Sequence, residues 1–253
     1  MARRLSFILP ADWWRIPLVN EEARTVNIDH MVDHQFHNID EAAQLRHDLK
    51  EELYKQASEA AQIGGIVMAF YLLNLDGTPV SATMACYDLT GLMSLPSELN
   101  PAIILSHYVG DKELEDSLPT YSESLFPDGF PQTQTDLASE TAESVSDVEL
   151  EQIGVATSDE PQIPWTKITD YDILAYRREE ITSGSDYFKE ETPKTEQLRV
   201  TYAQVVPDFG LVQTVFSTPL VRARESWIQM WDAMIASFRA DTSNDQNISD
   251  RGE

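Results

Sequence analysis

Residues 66–73 read Ile-Val-Met-Ala-Phe-Tyr-Leu-Leu, eight apolar or aromatic side chains in a row. Successive side chains of a strand point to opposite faces, so a strand carries such a run only where both of its faces are covered. The segment therefore reads as a central strand. Asp76-Gly77-Thr78-Pro79 follows as a turn and residues 80–89 as the partner strand, giving an antiparallel hairpin. A second hairpin joins residues 198–206 to 211–216 across Pro207-Asp208-Phe209-Gly210. Leu5, Phe7 and Leu9 alternate as a short first strand, and residues 171–177 read as another. Trp13 and Trp14 lie between Pro10 and Pro17, in a loop or an edge segment.

Helical periodicity supplies the cover. Glu21 and Glu22 suit a first helical turn, and Ile28, Met31, Val32, Phe36 and Ile39 then share one face. Asp40 is placed to cap a second helix, along which Leu45, Leu49, Leu53 and Ala57 recur every four residues until Gly64 and Gly65 close it. Residues 99–109 fit either a short helix or a strand, with the helix preferred. After Ser217-Thr218-Pro219, the side chains Trp227, Met230, Trp231, Met234, Ile235 and Phe238 follow the spacing of one buried helical face. At that spacing they form core rather than a cofactor box. Arg224 falls on the opposite face. Residues 181–195 look like a polar excursion, and residues 241–253 like a disordered tail. The fold expected is an α+β domain over residues 1–240, an antiparallel sheet flanked by helices.

That domain is interrupted. Residues 111–163 contain 14 Asp or Glu and one basic residue, Lys112, so this stretch carries −13 (14 minus 1) of the formal −25 on the chain. Such a composition cannot bury enough apolar surface to offset the entropy of ordering, and the stretch is expected to be a disordered acidic insert. Two small apolar groups within it, Tyr121/Leu125/Phe126/Phe130 and Val145/Val148/Leu150/Ile153, read as solvated linker side chains more readily than as docking motifs.

The charge also bounds the partners. Binding nucleic acid requires clustered Lys and Arg to neutralise phosphates, and docking on an anionic membrane requires the same sign. A chain at −25 is expected to do neither. The single cysteine, Cys86, allows no disulfide within the chain and no multi-cysteine metal site. The opening Arg3-Arg4-Leu5-Ser6-Phe7-Ile8-Leu9 is stopped by Pro10 and Asp12, short of a secretory signal. A cytoplasmic protein is the expectation.

Candidate chemistry is sparse. His30, His34 and His37, with Asp29 and Asp33 beside them, are spaced to bring three imidazoles to one side of a helix, within reach of Zn²⁺ or Ni²⁺. At roughly 100° per residue the apolar face of the same helix points away from them, so they should face solvent without the enclosing shell that a functional metal site needs. No metal or other cofactor is assigned. Cys86 sits mid-strand among apolar neighbours, as a small hydrophobe rather than a nucleophile. His107 has no partner close in sequence and reads as a packed or surface residue. Glycine-rich phosphate loops, a nucleophile elbow and the H-E-x-x-H pattern are absent, and no catalytic residue is assigned.

Three stretches carry a resemblance: Phe7-Ile8-Leu9-Pro10-Ala11-Asp12-Trp13, Phe216-Ser217-Thr218-Pro219, and Trp231-Asp232-Ala233-Met234-Ile235-Ala236-Ser237-Phe238. Together with the element order they resemble the α/β/α sandwich of the PsbP-like and Mog-type superfamily. That superfamily includes the actinobacterial lipoprotein LpqN family, from which this chain departs in having no lipidated N-terminal cysteine. The resemblance implies a non-enzymatic binding or assembly module with no catalytic residues to carry over. The function expected is a non-catalytic protein-binding or adaptor module whose partner is another protein. The alternative is an enzyme or metal-dependent module built on the helix bearing His30, His34 and His37. A third class, an immunity or secretion-system accessory protein, fits the acidity, since an acidic surface neutralises a basic partner.

Overall fold

The apolar run at 66–73 lies in a strand that buries side chains on both sides. The computed structural model describes residues 4–36, 43–75, 78–92, 100–118, 163–184 and 195–241. In chain order the elements are β1 (Arg4–Ser6), β2 (Trp13–Pro17), α1 (Glu21–Gln35), α2 (Ala43–Gln62), β3 (Gly65–Leu75) and β4 (Thr78–Asp88). There follow α3 (Leu89–Leu92), α4 (Pro101–Val109), α5 (Lys112–Ser117), β5 (Thr166–Lys167), β6 (Leu174–Gly184), β7 (Thr195–Val206) and β8 (Gly210–Thr218). A 3-10 turn (Val221–Ala223), α6 (Arg224–Ala236) and β9 (Arg239–Asp241) complete the described chain.

Seven strands form one antiparallel sheet in the order β2-β3-β4-β8-β7-β6-β5, while β1 and β9 pair with each other as a separate ribbon. Alternation along β3 sends Val67 and Ala69 into one core and Met68 and Phe70 into another. The first core lies under α6, where Trp231, Met234, Ile235 and Phe238 meet Met84, Cys86, Val200, Tyr202 and Phe216. On the opposite face α1 and α2 cover the β2–β3–β4 end through Ile28, Met31, Leu53 and Ala57. On that same face, Ile104 and Leu105 of α4 pack on Tyr176, Ala203 and Leu211. The fold is thus α+β, with an antiparallel sheet between helical layers, as the strand patterning implied.

The caps follow from sequence. The Asn20 side chain accepts from the Ala23 N–H at 2.9 Å and starts α1, and Asn100 caps α4 in front of Pro101. Gly110, at φ 71°, ends α4 in the left-handed region. Among the described residues no helix is long and apolar enough to cross a membrane.

Several expectations are corrected. Asp111 is not part of an unstructured insert. Its side chain caps α5, accepting from the Leu114 N–H at 3.0 Å, and also accepts from the Tyr176 hydroxyl of β6 at 2.5 Å. Residues 111–118 therefore belong to the fold; the rest of the acidic stretch up to 162, with both of its apolar groups, lies outside the described residues. The polar excursion expected from 181 is strand for its first four residues, since β6 runs on to Gly184 against Thr195. Backbone pairing at the margin of a sheet does not require apolar side chains. Leu45 is exposed rather than facing the core, because α2 buries only Leu53, Ala57 and Ala60 in its second half. Asp241 pairs with Arg4 in the ribbon rather than fraying. Ile39, Asp40, the Asp76-Gly77 turn and residues 242–253 lie outside the described residues.

Candidate functional site

Four separated segments converge on an open cleft of ≈ 760 Å³. Pro17 ends β2, and the next residue, Leu18, stays tied to the sheet by donating its N–H to the Ile66 carbonyl at 3.0 Å. The chain then turns at Asn20 into α1, placing Glu21 and Arg24 on one wall. The second wall is the end of α2, with Ser58, Ala61 and Gln62. That helix stops because Gly64 takes φ 80°, and Gly65 lies so close beneath it that a Cβ there would sit 2.4 Å from the Ala60 carbonyl oxygen. Asp88, at the end of β4, donates its N–H to the Gly64 carbonyl at 3.0 Å and also lines the cleft. Phe209, from the β7–β8 turn, supplies a buried aromatic wall. Val19 stands on the rim with 80% of its surface exposed.

The cleft mixes signs. Glu21 and Asp88 bring carboxylates, and Arg24 brings the one positive charge of the lining, with its Nη1 donating to the Leu18 carbonyl at 3.0 Å. Although Glu21 and Arg24 are one turn apart, they form no ion pair. The lining contains no His, Cys or Lys, so it offers no activated nucleophile beside a base.

Elsewhere the polar side chains hold elements together. A chain of groups runs outward from the core beneath α6. The Tyr202 hydroxyl donates to Asp232 Oδ1 at 2.8 Å, and Arg177 Nη1 donates to Asp232 Oδ2 at 2.5 Å. Arg177 Nε lies 2.9 Å from Glu179 Oε1, off the line of a hydrogen bond, so that contact is ionic. Arg224 then closes on Glu179 Oε2 through Nε, at 2.8 Å, and Nη2. Arg224 is therefore engaged with β6, contrary to its expected idleness on the free face of the helix. Burial works against the Arg177 charge, but the Asp232 hydrogen bond and charge outweigh it, and the guanidinium holds its proton more tightly than usual. Burial first, and then Asp232, push the Tyr202 phenol well above its ordinary range. A second cluster clasps α1 to α2, with Lys50 Nζ 2.8 Å from Asp29 and 2.9 Å from Asp33. The Lys50 hydrogen bond holds the Asp29 carboxyl below its ordinary range.

His30 and His34 are exposed on α1, as their phase on the helix implied, and both rings rest against the indole of Trp14 at centroid distances of 5.6 and 4.9 Å. His37 lies outside the described residues. Among the described residues no three His, Cys, Asp or Glu side chains are grouped to hold a metal ion. Trp13 and Trp14 sit on the edge strand β2 and part company, Trp13 into the core under α6 and Trp14 against α1. His107 finds a partner across the α4–α5 turn, 3.6 Å from Glu115.

Cys86 is fully buried, and burial pushes its thiol up to about 12 from an ordinary 9.0. Burial likewise raises Tyr87 to about 12 from 10.0. A raised folded-state pKa stabilises fully below the free value and is lost as the pH climbs through the folded one. Stability is expected to be level up to about pH 9 and to fall above it, by roughly 1 kcal/mol per pH unit for each such group past its free value. Denaturant melts between pH 8 and 11 check this. Cys86→Ala and Tyr202→Phe should each flatten the slope, and a level wild-type profile would contradict the assignment.

The cleft went unread in the sequence, where Gly64 and Gly65 signalled only the end of a helix. The Arg177–Asp232 pair had a faint signal, an arginine inside a strand and an aspartate bordering the aromatic stripe. No protein-family model, curated protein or solved structure matches the chain.

Proposed function

We propose that the protein is a non-catalytic binding module that acts on another protein, with the cleft and its Val19 rim as the contact surface. The observation carrying this reading is the open cleft, apolar along Leu18, Val19, Ile66 and Phe209 and charged at Glu21, Arg24 and Asp88. Exposed aliphatic side chains beside a concave surface suit a side chain delivered by a partner. The other strong polar groups described above serve as internal fastenings. A formal charge of −25 favours a protein partner over nucleic acid or an anionic membrane. The resemblance of the chain ends to the PsbP-like and Mog-type superfamily, whose members are mostly binding or assembly modules, supports the same reading. The working compartment on this reading is the cytoplasm, where the one thiol stays reduced.

The test is differential capture. Tagged wild-type protein, Val19→Glu and Ile181→Glu are recovered from the native cell, and the co-purifying proteins are compared. Ile181 is also exposed, on β6 at the far side of the sheet. Val19→Glu should lose a partner that Ile181→Glu retains. Identical sets from all three would remove the cleft as the docking surface.

A further inference from the structure

We propose that the part of the chain up to residue 118 and the part from residue 163 onward are complementary partners, which stay together as two chains when the link between them is cut. The first portion carries β1–β4 and α1–α5, and the second carries β5–β9 and α6. Each builds its own stretch of the sheet, since β2, β3 and β4 are neighbours in the first, and β8, β7, β6 and β5 in the second. The first also has a core of its own. The buried side chains under α1 and α2 all lie between Ile16 and Tyr87.

What joins the portions is apolar and extends over both faces of the sheet. Beneath α6, Trp13, Met84 and Cys86 of the first meet Tyr202, Phe216 and Trp231 of the second. On the other face, Leu89 and Leu105 meet Tyr176 and Leu211. Rings pair across the same boundary, Phe7 with Phe238 at 4.7 Å and Tyr71 with Trp227 at 5.8 Å between centroids. Backbone pairing runs from Thr83 opposite Ser217 to Asp88 opposite Val212, and again where β1 lies against β9. Thr90 Oγ1 accepts from the Leu211 N–H, and the Ser81 carbonyl from the Thr218 hydroxyl, each at 2.7 Å. Such a boundary has the character of a domain core cut in half, which is how permanent two-chain interfaces are built. None of these contacts involves residues 119–162, so a break there removes none of them. The cleft would survive it too, with Phe209 supplied by the second chain and the rest of its lining by the first.

The experiment inserts the recognition sequence of a site-specific protease between Ala138 and Ser139 of the full chain and compares the protein before and after complete cleavage. The fragments should elute together from a sizing column at about 1 µM, as a complex with a dissociation constant well below that value does. The near-ultraviolet circular dichroism, which reports the packed rings, should be unchanged by the cut. The thermal midpoint should now rise with protein concentration, as it does for a complex and not for one chain. A second insertion, between Thr157 and Ser158, should give the same complex. Phe216→Leu, which thins the boundary but leaves it apolar, should weaken the cut complex about tenfold. Arg224→Ala, whose partner Glu179 belongs to the same portion, should weaken it less than about threefold. Separation or aggregation of the fragments, loss of the near-ultraviolet signal on cleavage, or equal weakening by the two variants would each overturn the proposal. So would an uncut chain that both insertions leave unfolded, because the link would then belong to the fold.

Discussion

Trp231→Ala is expected to leave the protein barely folded or insoluble. Trp231 is fully buried, stacked on Phe216 at 4.9 Å and on Trp227 at 5.5 Å between ring centroids. Removing a buried aromatic ring forfeits its transfer energy and leaves a cavity, at a cost of roughly 3–5 kcal/mol. A domain is held folded by roughly 5–15 kcal/mol, so the loss consumes much of the margin. Thermal melts and soluble yield measure it. Arg224→Ala makes an informative comparison, because its half-exposed pair with Glu179 is worth at most about 1 kcal/mol. Equal stability of the two variants would mean that α6 is not docked on the sheet.

Asp232→Ala should be nearly as damaging, for a different reason. The carboxylate is the shared acceptor for Tyr202 and Arg177, and its removal leaves a fully buried hydroxyl unanswered and a largely buried guanidinium with only its ionic contact to Glu179. Breaking a buried pair from one side costs roughly 3–5 kcal/mol, whereas replacing both partners with apolar side chains is often neutral. The Asp232→Leu/Arg177→Met double variant should therefore recover most of what Asp232→Ala loses. A double-mutant cycle gives the coupling. Additive losses would show that the two side chains do not depend on each other.

Much of the fold was legible because its signals are local. The run at 66–73 required a covered strand, the Pro207–Gly210 turn announced a hairpin, and the Trp227–Phe238 spacing marked one helical face. Each of these depends on neighbours within about a dozen residues. The cleft was not legible, because Leu18, Gln62, Asp88 and Phe209 meet only after the sheet has brought their segments together. Every one of those segments had a sufficient local explanation of its own: a strand end, a helix stop, a strand end and a turn. Arg177 and Asp232 stand 55 positions apart and touch only when α6 lies across β6 and β7. Composition taken over the whole acidic stretch misplaces its border, because Asp111 by itself caps α5 and bonds Tyr176.

The pairing of β4 with β8 joins residues 83–88 to 212–217, and no shorter-range contact in the sheet connects the two sets of strands on either side of it. The sheet is therefore two locally wound pieces meeting at one seam, β2–β3–β4 and β8–β7–β6–β5. The entropy of closing a loop rises only slowly with its length, so the chain between the pieces can lengthen or shorten at little thermodynamic expense while the seam stays in register. Register at the seam is enforced by buried side chains, Met84 opposite Phe216 and Cys86 opposite Thr214. The architecture thus puts the demand for exact register at one seam, and a substitution there would separate the two halves of the sheet from each other before it disordered either half.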